Sequence, residues 1–256
     1  PIRTSAPGSM MLLGEHAVLH GHHALVCALN RRIHVMLSPR SDREIHITSS
    51  LGRLELTLDT IEPKEPLAFV LGAVAQRKGD LKSGFDLTVQ SEFTHKAGLG
   101  SSAAVTVATT AALGLWLDEK VEEESVLRAS VAIIQDIQGL GSGADAAASV
   151  YGGILLYRAK PLKVMKLGAV HPVTLVYSGS KKPTAEVVRL VEAAHAKQPA
   201  TYDRIYELMG HSAEEAAAAI ERRDWQSVGG LLNINQGLMD AIGVCDGKLA
   251  GIVYAL

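Results

Sequence analysis

An α+β fold in two lobes is what this sequence predicts, on three observations. The first half is dominated by short β-prone segments separated by turns, and the second half by helical patterns. The chain has 256 residues, 47% of them hydrophobic, which is enough for one large core or two smaller ones. The change from strands to helices falls near residues 158–172. That divides the chain into an N-terminal lobe of residues 1–160 and a C-terminal lobe of residues 161–256.

The elements follow in order. Segments rich in Val, Ile, Leu and Thr predict strands over Ile2–Ser5, Ala24–Ala28, Arg32–Leu37, Glu44–Thr48, Leu54–Leu58 and Gly84–Val89. Helical patterns cover Leu67–Arg77, Ser101–Leu117 and Glu122 to about Ile137. Strand character returns at Gly152–Tyr157, Val164–Leu167 and Thr174–Tyr177. Pro183 and Thr184 then open a helix to about Ala196, and Tyr202–Arg223, alanine-rich from Ala213, forms another. A last helix starts at Asp224 or Ser227, runs through Ala241 and stops at Gly243.

Charge narrows the function classes. The formal net charge is −2, without the basic stripe of a nucleic-acid binder. The acidic cluster at Asp118, Glu119 and Glu122–Glu124 is short and reads as the solvated start of a helix. Ala97–Leu117 carries no charge and is long enough to span a bilayer. It is mostly Gly, Ser, Ala and Thr, so a buried helix after a glycine loop explains it better than a membrane span. Cys27 and Cys245 are far apart and form no disulfide framework, which points to a reducing compartment, the cytoplasm. Arg3 and Pro7 interrupt any leader-like apolar run at the start. His16, His20, His22 and His23 cluster within a short turn, but no cysteine or second carboxylate nearby completes a metal set, so they read as polar surface.

The strongest chemical signal is Gly98-Leu99-Gly100-Ser101-Ser102-Ala103-Ala104. Two glycines allow a tight turn and close approach to a ligand, and two serines stand where a helix begins. The N–H groups and dipole at such a helix end suit an anion, above all a phosphate. Neither a Walker lysine nor a dinucleotide fingerprint accompanies the glycines. A glycine turn feeding a core helix is the plain structural alternative. Two further segments stand out. Ala6–Val18 places a Pro7-Gly8 turn and an apolar strand before Gly14-Glu15-His16, and Gln138–Asp145 puts an aspartate after three glycines. Asp145 by residue type alone is equally a helix N-cap.

Together these three ordered segments resemble the superfamily of galactokinase, homoserine kinase, mevalonate kinase and phosphomevalonate kinase, the GHMP kinases, in its mevalonate kinase form. The resemblance covers nearly the whole chain. It implies a ribosomal protein S5 domain 2-like N-terminal lobe and a helix-rich α/β C-terminal lobe. It also implies a cytoplasmic, ATP- and Mg²⁺-dependent kinase that phosphorylates the alcohol of mevalonate for isoprenoid synthesis. Lys96, Gly98, Leu99, Gly100, Ser101, Ser102 and Ala103 would hold the nucleotide, with Ser102 on the magnesium. Glu15, His16, Ser142, Tyr151 and Thr184 would contact the acceptor. Asp145 would face its hydroxyl as the catalytic carboxylate. Thr184, within Ser178-Gly179-Ser180-Lys181-Lys182-Pro183-Thr184, equally suits a helix cap.

Two departures from the family pattern stand out. Ser9 occupies the place of a lysine that aids phosphoryl transfer, with Lys96 or Arg3 as candidates to replace its charge. Ile134 occupies the place of a magnesium-binding glutamate, with Asp136 the nearest carboxylate. The Gln138–Gly143 run leans towards phosphomevalonate kinases, whereas Asn235–Val244 looks more like the late helix of mevalonate kinases. By spacing alone that helix is amphipathic, with Leu231, Leu232, Leu238 and Ile242 inward. A third glycine-rich motif normally follows a position like Leu256, so the resemblance implies a second lobe that continues further.

Phosphomevalonate kinase or another GHMP kinase stays open as the alternative activity. A catalytically silent sensor of nucleotide and metabolite is the alternative from another class. The expected partners are small molecules, with neither nucleic acid nor membrane, and a homodimer is the expected assembly.

Overall fold

A computed structural model describes residues 1–179 and 183–255. Ser180, Lys181 and Lys182, in the segment leading to Thr184, therefore lie outside the described residues. The fold is mixed α+β, and the chain forms two compact units: Pro1–Ser9 with Ala28–His95 and Leu99–Gly152, and Met10–Cys27 with Lys96–Gly98 and Gly153–Leu256.

The first unit is a sheet covered by helices. It contains strand β1 (Ile2–Leu13) up to Ser9 and most of β2 (Ala24–Pro39). It also holds β3 (Glu44–Ser49), β4 (Gly52–Thr57) and β5 (Phe85–Ser91), in the order β4-β3-β5-β2. β2 and β5 run antiparallel, with Val35 opposite Val89. β3 and β5 run parallel, with Ile47 opposite Leu87. Ile33, Val35 and Leu37 alternate inward along β2 and Ile45 and Ile47 along β3, the period of a strand with one buried face.

Four helices belong to this unit: α1 (Ala68–Gln76), α2 (Ser101–Trp116), α3 (Glu123–Gln138) and α4 (Ala144–Tyr151). α2 is the uncharged segment that could pass for a membrane span. Ala103, Ala104, Val107, Ala108 and Ala112 are buried, and these short side chains let its neighbours come close. The same logic holds at Gly72 of α1, where a Cβ would lie 2.8 Å from Ile137 and 2.9 Å from Ile133 of α3. Among the described residues no helix is long and apolar enough to cross a membrane.

The second unit pairs Ala24–Cys27 of β2 with β6 (Ile154–Arg158), which pairs in turn with β7 (Lys163–Lys166). Its helices are α5 (Thr184–His195), α6 (Pro199–Glu221), α7 (Trp225–Ala241) and α8 (Gly247–Val253). A core of Ala17, Val191, Tyr202, Tyr206, Met209 and Ile242 ties α5, α6 and the end of α7 to the 3₁₀ turn Ala17–His20.

Four element expectations need correction. The two strands expected over Ala24–Ala28 and Arg32–Leu37 are one strand, β2. The polar Asn30-Arg31-Arg32 does not break it, because Arg32 is held by Ser5 through its guanidinium and by Glu92 through its backbone N–H. Thr174–Tyr177 is not a strand, although it is rich in β-formers. Leu175, Val176 and Tyr177 are exposed, and among the described residues no ladder supplies the pairing that a strand requires. α6 begins earlier than expected, with Pro199 in its first turn, where the missing N–H costs nothing. α8 follows Gly243 and was hidden by its glycines. Asp246 caps it by accepting from the Leu249 N–H at 2.9 Å.

Candidate active site

The glycine loop and Asp145 both belong to the first unit, apart from Lys96–Gly98 of that loop, and one short stretch of β1 positions them. Gly98 and Gly100 both have positive φ, at 73° and 66°, so the chain turns sharply just before α2. Gly100 is the N-cap, and the first helical bond is from the Ala104 N–H to the Gly100 carbonyl. The N–H groups of Ser101, Ser102 and Ala103 thus have no partner within the helix and point out of its positive end. No side chain caps that end. This is the geometry of an anion site.

β1 pins the loop at Gly8 and Ser9. The Ser9 N–H donates to the Leu99 carbonyl at 3.1 Å. Gly8 sits so close that a Cβ would lie 2.7 Å from the same Leu99 oxygen. On Gly100, a Cβ would lie 1.9 Å from the Ser9 Oγ. Contact therefore demands glycine at both 8 and 100, and at 100 the left-handed conformation demands it as well.

The same strand holds the helix that carries Asp145. The Ser149 Oγ donates to the Pro7 carbonyl at 2.8 Å, anchoring α4. The Ser9 Oγ donates to the Asp145 Oδ1 at 2.7 Å. Ser9 is fully buried, whereas Asp145, in the first turn of α4, is exposed. A carboxylate in that position is favoured by the helix dipole. Just before it, the Ser142 Oγ accepts from the Ala144 N–H at 3.3 Å. Tyr151 ends α4, and burial raises the pKa of its phenol, with Glu123 and Glu124 adding to the effect.

Ile134 occupies the face of α3 that looks onto the glycine turn. Its Cγ2 would lie 3.5 Å from a Cβ on Gly141. Asp136 is exposed two residues further on, about 200° round the helix. It does not share the face that Ile134 presents to the turn.

The second unit carries the other predicted residues. Gly14 has φ 85°, and a Cβ there would lie 2.6 Å from the His23 carbonyl, so the turn after β1 needs glycine. Asn235 of α7 is buried. Its Oδ1 accepts from the Gly14 N–H at 3.5 Å, and its Nδ2 donates to the Glu15 Oε2 at 3.3 Å. Glu15 and Asn235 line a cavity of about 350 Å³ with Leu12, Leu232 and Met239. His16 takes φ 65°, unusual for a residue with a Cβ, and its Nδ1 is buried with no hydrogen-bond partner. Burial pushes its pKa down, against the opposing pull of Glu192, so the ring is neutral at pH 7. Thr184 is the first residue of α5, exposed, one position inside the N-cap Pro183. The Lys96 carbonyl accepts from the Tyr177 hydroxyl at 3.1 Å.

Two residues were missed as functional from the sequence. Ser9 was read only as the loss of a lysine. Asn235 enters the sequence reading only through the family-like, amphipathic late helix; of its expected inward residues Leu232 is in fact exposed, while Asn235 is buried because it tethers Gly14 and Glu15.

Comparison with known proteins bears on the family and the fold. A model of the GHMP kinases N terminal domain matches residues 67–153, which include the glycine loop and Asp145. A galactokinase galactose-binding signature matches residues 1–39. A mevalonate kinase of Pyrococcus horikoshii is 32% identical over 99% of this chain and 81% of its own length. The mevalonate kinase of Archaeoglobus fulgidus is 35% identical, over 96% of this chain and 81% of its own. The chain belongs to the mevalonate kinase family of GHMP kinases. Solved structures carry the fold alone at their lower identities. A Methanococcus jannaschii mevalonate kinase superposes with TM-score 0.78 at 24% identity, covering 98% of this chain and 82% of that one. A Lactococcus lactis galactokinase complexed with galactose does so with TM-score 0.79 at 18%, covering 96% and 76%. The two-lobed GHMP-kinase architecture expected from the sequence is thereby established, and with it a kinase that uses an alcohol acceptor.

Proposed function

We propose that this chain transfers the γ-phosphoryl group of ATP to the primary hydroxyl of mevalonate, giving 5-phosphomevalonate and ADP. The observation that carries the reading is the Ser9–Asp145 hydrogen bond on the strand that also holds the phosphate loop. The relatives named mevalonate kinase, 30–35% identical over nearly the whole chain, support the choice of acceptor.

The N–H groups of Ser101, Ser102 and Ala103 bind the phosphates, with Lys96, Gly98, Leu99 and Gly100 shaping the loop around them. The acceptor hydroxyl gives its proton to Asp145 as its oxygen forms the new bond to the γ-phosphorus. The bond from that phosphorus to the β–γ bridging oxygen breaks, and ADP leaves with the electron pair. Phosphoryl transfer through a loose transition state asks mostly for positioning and charge neutralisation. Ser9 meets the first need by fixing the carboxylate. Glu15, His16, Ser142, Tyr151 and Thr184 contribute acceptor contacts. Asn235 orients Glu15, and a neutral His16 can accept from a hydroxyl.

Magnesium suits the oxygen donors available, the Ser102 hydroxyl and the phosphates; Asp136, on a different face of α3 from Ile134, would reach it only through a water. When bound, the ion neutralises phosphate charge. The reducing cytoplasm fits the free Cys27 and Cys245, and a homodimer is the assembly in keeping with soluble enzymes generally.

The test is product identity. Incubation with ATP, Mg²⁺ and mevalonate, followed by ³¹P NMR, should show a new phosphomonoester and ADP. Phosphomevalonate, homoserine and galactose should give none. Turnover with phosphomevalonate instead would reassign the acceptor, and nucleotide binding without turnover on any of them would leave a sensor.

A further inference from the structure

Independently of the kinase reading, we propose that His20, Glu192 and His195 form a binding site for a divalent transition-metal ion of the zinc class. Each residue offers one ligand atom, and the three lie within 4.8 Å of one another. The His20 Nε2 is 2.9 Å from the Glu192 Oε1, and the His195 Nδ1 is 3.8 Å from the Glu192 Oε2. Zinc bonds of about 2.0–2.1 Å in tetrahedral geometry separate neighbouring ligand atoms by about 3.3 Å. The two observed distances, to different oxygens of Glu192, bracket that value, and all three ligand atoms lie within 4.8 Å, so side-chain adjustment without backbone movement would gather them on one ion.

Three features show that the donors are held in place. Glu192 and His195 stand three residues apart on α5, and so on one face of the helix. His195 uses its other nitrogen, Nε2, on the Asp203 Oδ1 at 2.9 Å. That carboxylate on α6 fixes the ring and leaves Nδ1 turned towards Glu192, the outer-shell arrangement common to metal-bound histidines. His20, in the 3₁₀ turn, is clamped against Tyr206 with ring centroids 4.3 Å apart and meets His195 edge-on at 5.1 Å. Two imidazoles and one carboxylate with a fourth position left to water is a set that zinc accepts readily. Magnesium, which prefers oxygen, does not.

Sequence alone makes the four-histidine cluster polar surface, for want of a carboxylate close by in the chain. The missing ligands come instead from α5, about 170 residues downstream, and only His20 of the four takes part. His23 is bound to Glu214 at 2.5 Å, and His22 packs on Gly210.

Zinc binding is measured by calorimetry on the whole chain freed of metal, and Co²⁺ is used to read coordination from its visible d–d bands. One ion per chain is expected, with tetrahedral Co²⁺ bands and a melting temperature raised by zinc but not by magnesium. Glu192→Gln, which keeps shape and the Tyr206 stack, and His195→Ala should abolish all three signals. Asp203→Asn should weaken zinc about 10–100-fold. Circular dichroism confirms that each variant is folded. No uptake by the parent chain, or uptake that survives in Glu192→Gln and His195→Ala, overturns the site. Displacement of zinc by millimolar magnesium overturns its class.

Discussion

The buried Ser9 hydroxyl donates to Asp145 at 2.7 Å, across 136 positions of sequence. A short neutral donor thus sits on the carboxylate itself. Ser9 can fix the rotamer of Asp145, but it carries no charge with which to neutralise a phosphate.

Ser9→Ala removes that bond and leaves a small buried cavity. A hydrogen bond to a charged group contributes about 1.5–3 kcal/mol, and about 1.4 kcal/mol is tenfold in rate. Steady-state kinetics should therefore show kcat reduced roughly 10–100-fold with the KM for ATP nearly unchanged. An unaltered kcat would mean that Asp145 needs no such support.

Gly8 and Gly100 form the other half of the joint. Gly100→Ala strains a left-handed residue at a cost of about 1–2 kcal/mol and drives its methyl into the Ser9 hydroxyl. Gly8→Ala meets the Leu99 carbonyl. Both variants should lose most nucleotide affinity by equilibrium binding, and Gly100→Ala should also melt several degrees lower. Normal nucleotide binding by either would show that the loop does not need this contact.

Asn235→Ala takes the partner from the Gly14 N–H and from Glu15. The expected cost is about 1–3 kcal/mol of stability, read by urea unfolding. The KM for the acceptor should rise while that for ATP holds. A rise in the ATP KM alone would remove Asn235 from the acceptor side.

Tyr206 offers a prediction of opposite sign. Its hydroxyl is buried with no partner, and burial pushes its pKa up to about 12. Tyr206→Phe keeps the stack on His20 and removes the unsatisfied group. A gain of about 1 kcal/mol, some 2–4 °C in melting temperature, is expected. Destabilisation would reveal a partner for that oxygen.

The sequence made much of this architecture legible because period and punctuation agreed. Gly98 and Gly100 announced the turn, Ser101–Leu117 announced the helix, and three glycines set Asp145 at the start of α4. What stayed hidden depended on distant partners. Ser9 acquires a role only when β1 lies beside α2 and α4, and His20 only when α5 brings Glu192 and His195 to it. Thr174–Tyr177 failed for the converse reason, since β propensity without a neighbouring strand gives no strand. The gap expected between Ala28 and Arg32 does not exist, because Ser5 of β1 and Glu92, just after β5, hold Arg32 in the middle of one continuous strand.

The most direct test of the central claim is mevalonate-dependent ADP release from Mg²⁺-ATP, compared between the parent chain and Asp145→Asn. A positioned base contributes about 10²–10⁴-fold. The account predicts turnover in the parent and a loss of that size in the variant, with nucleotide affinity retained. Equal turnover in both, or none in the parent, would contradict it.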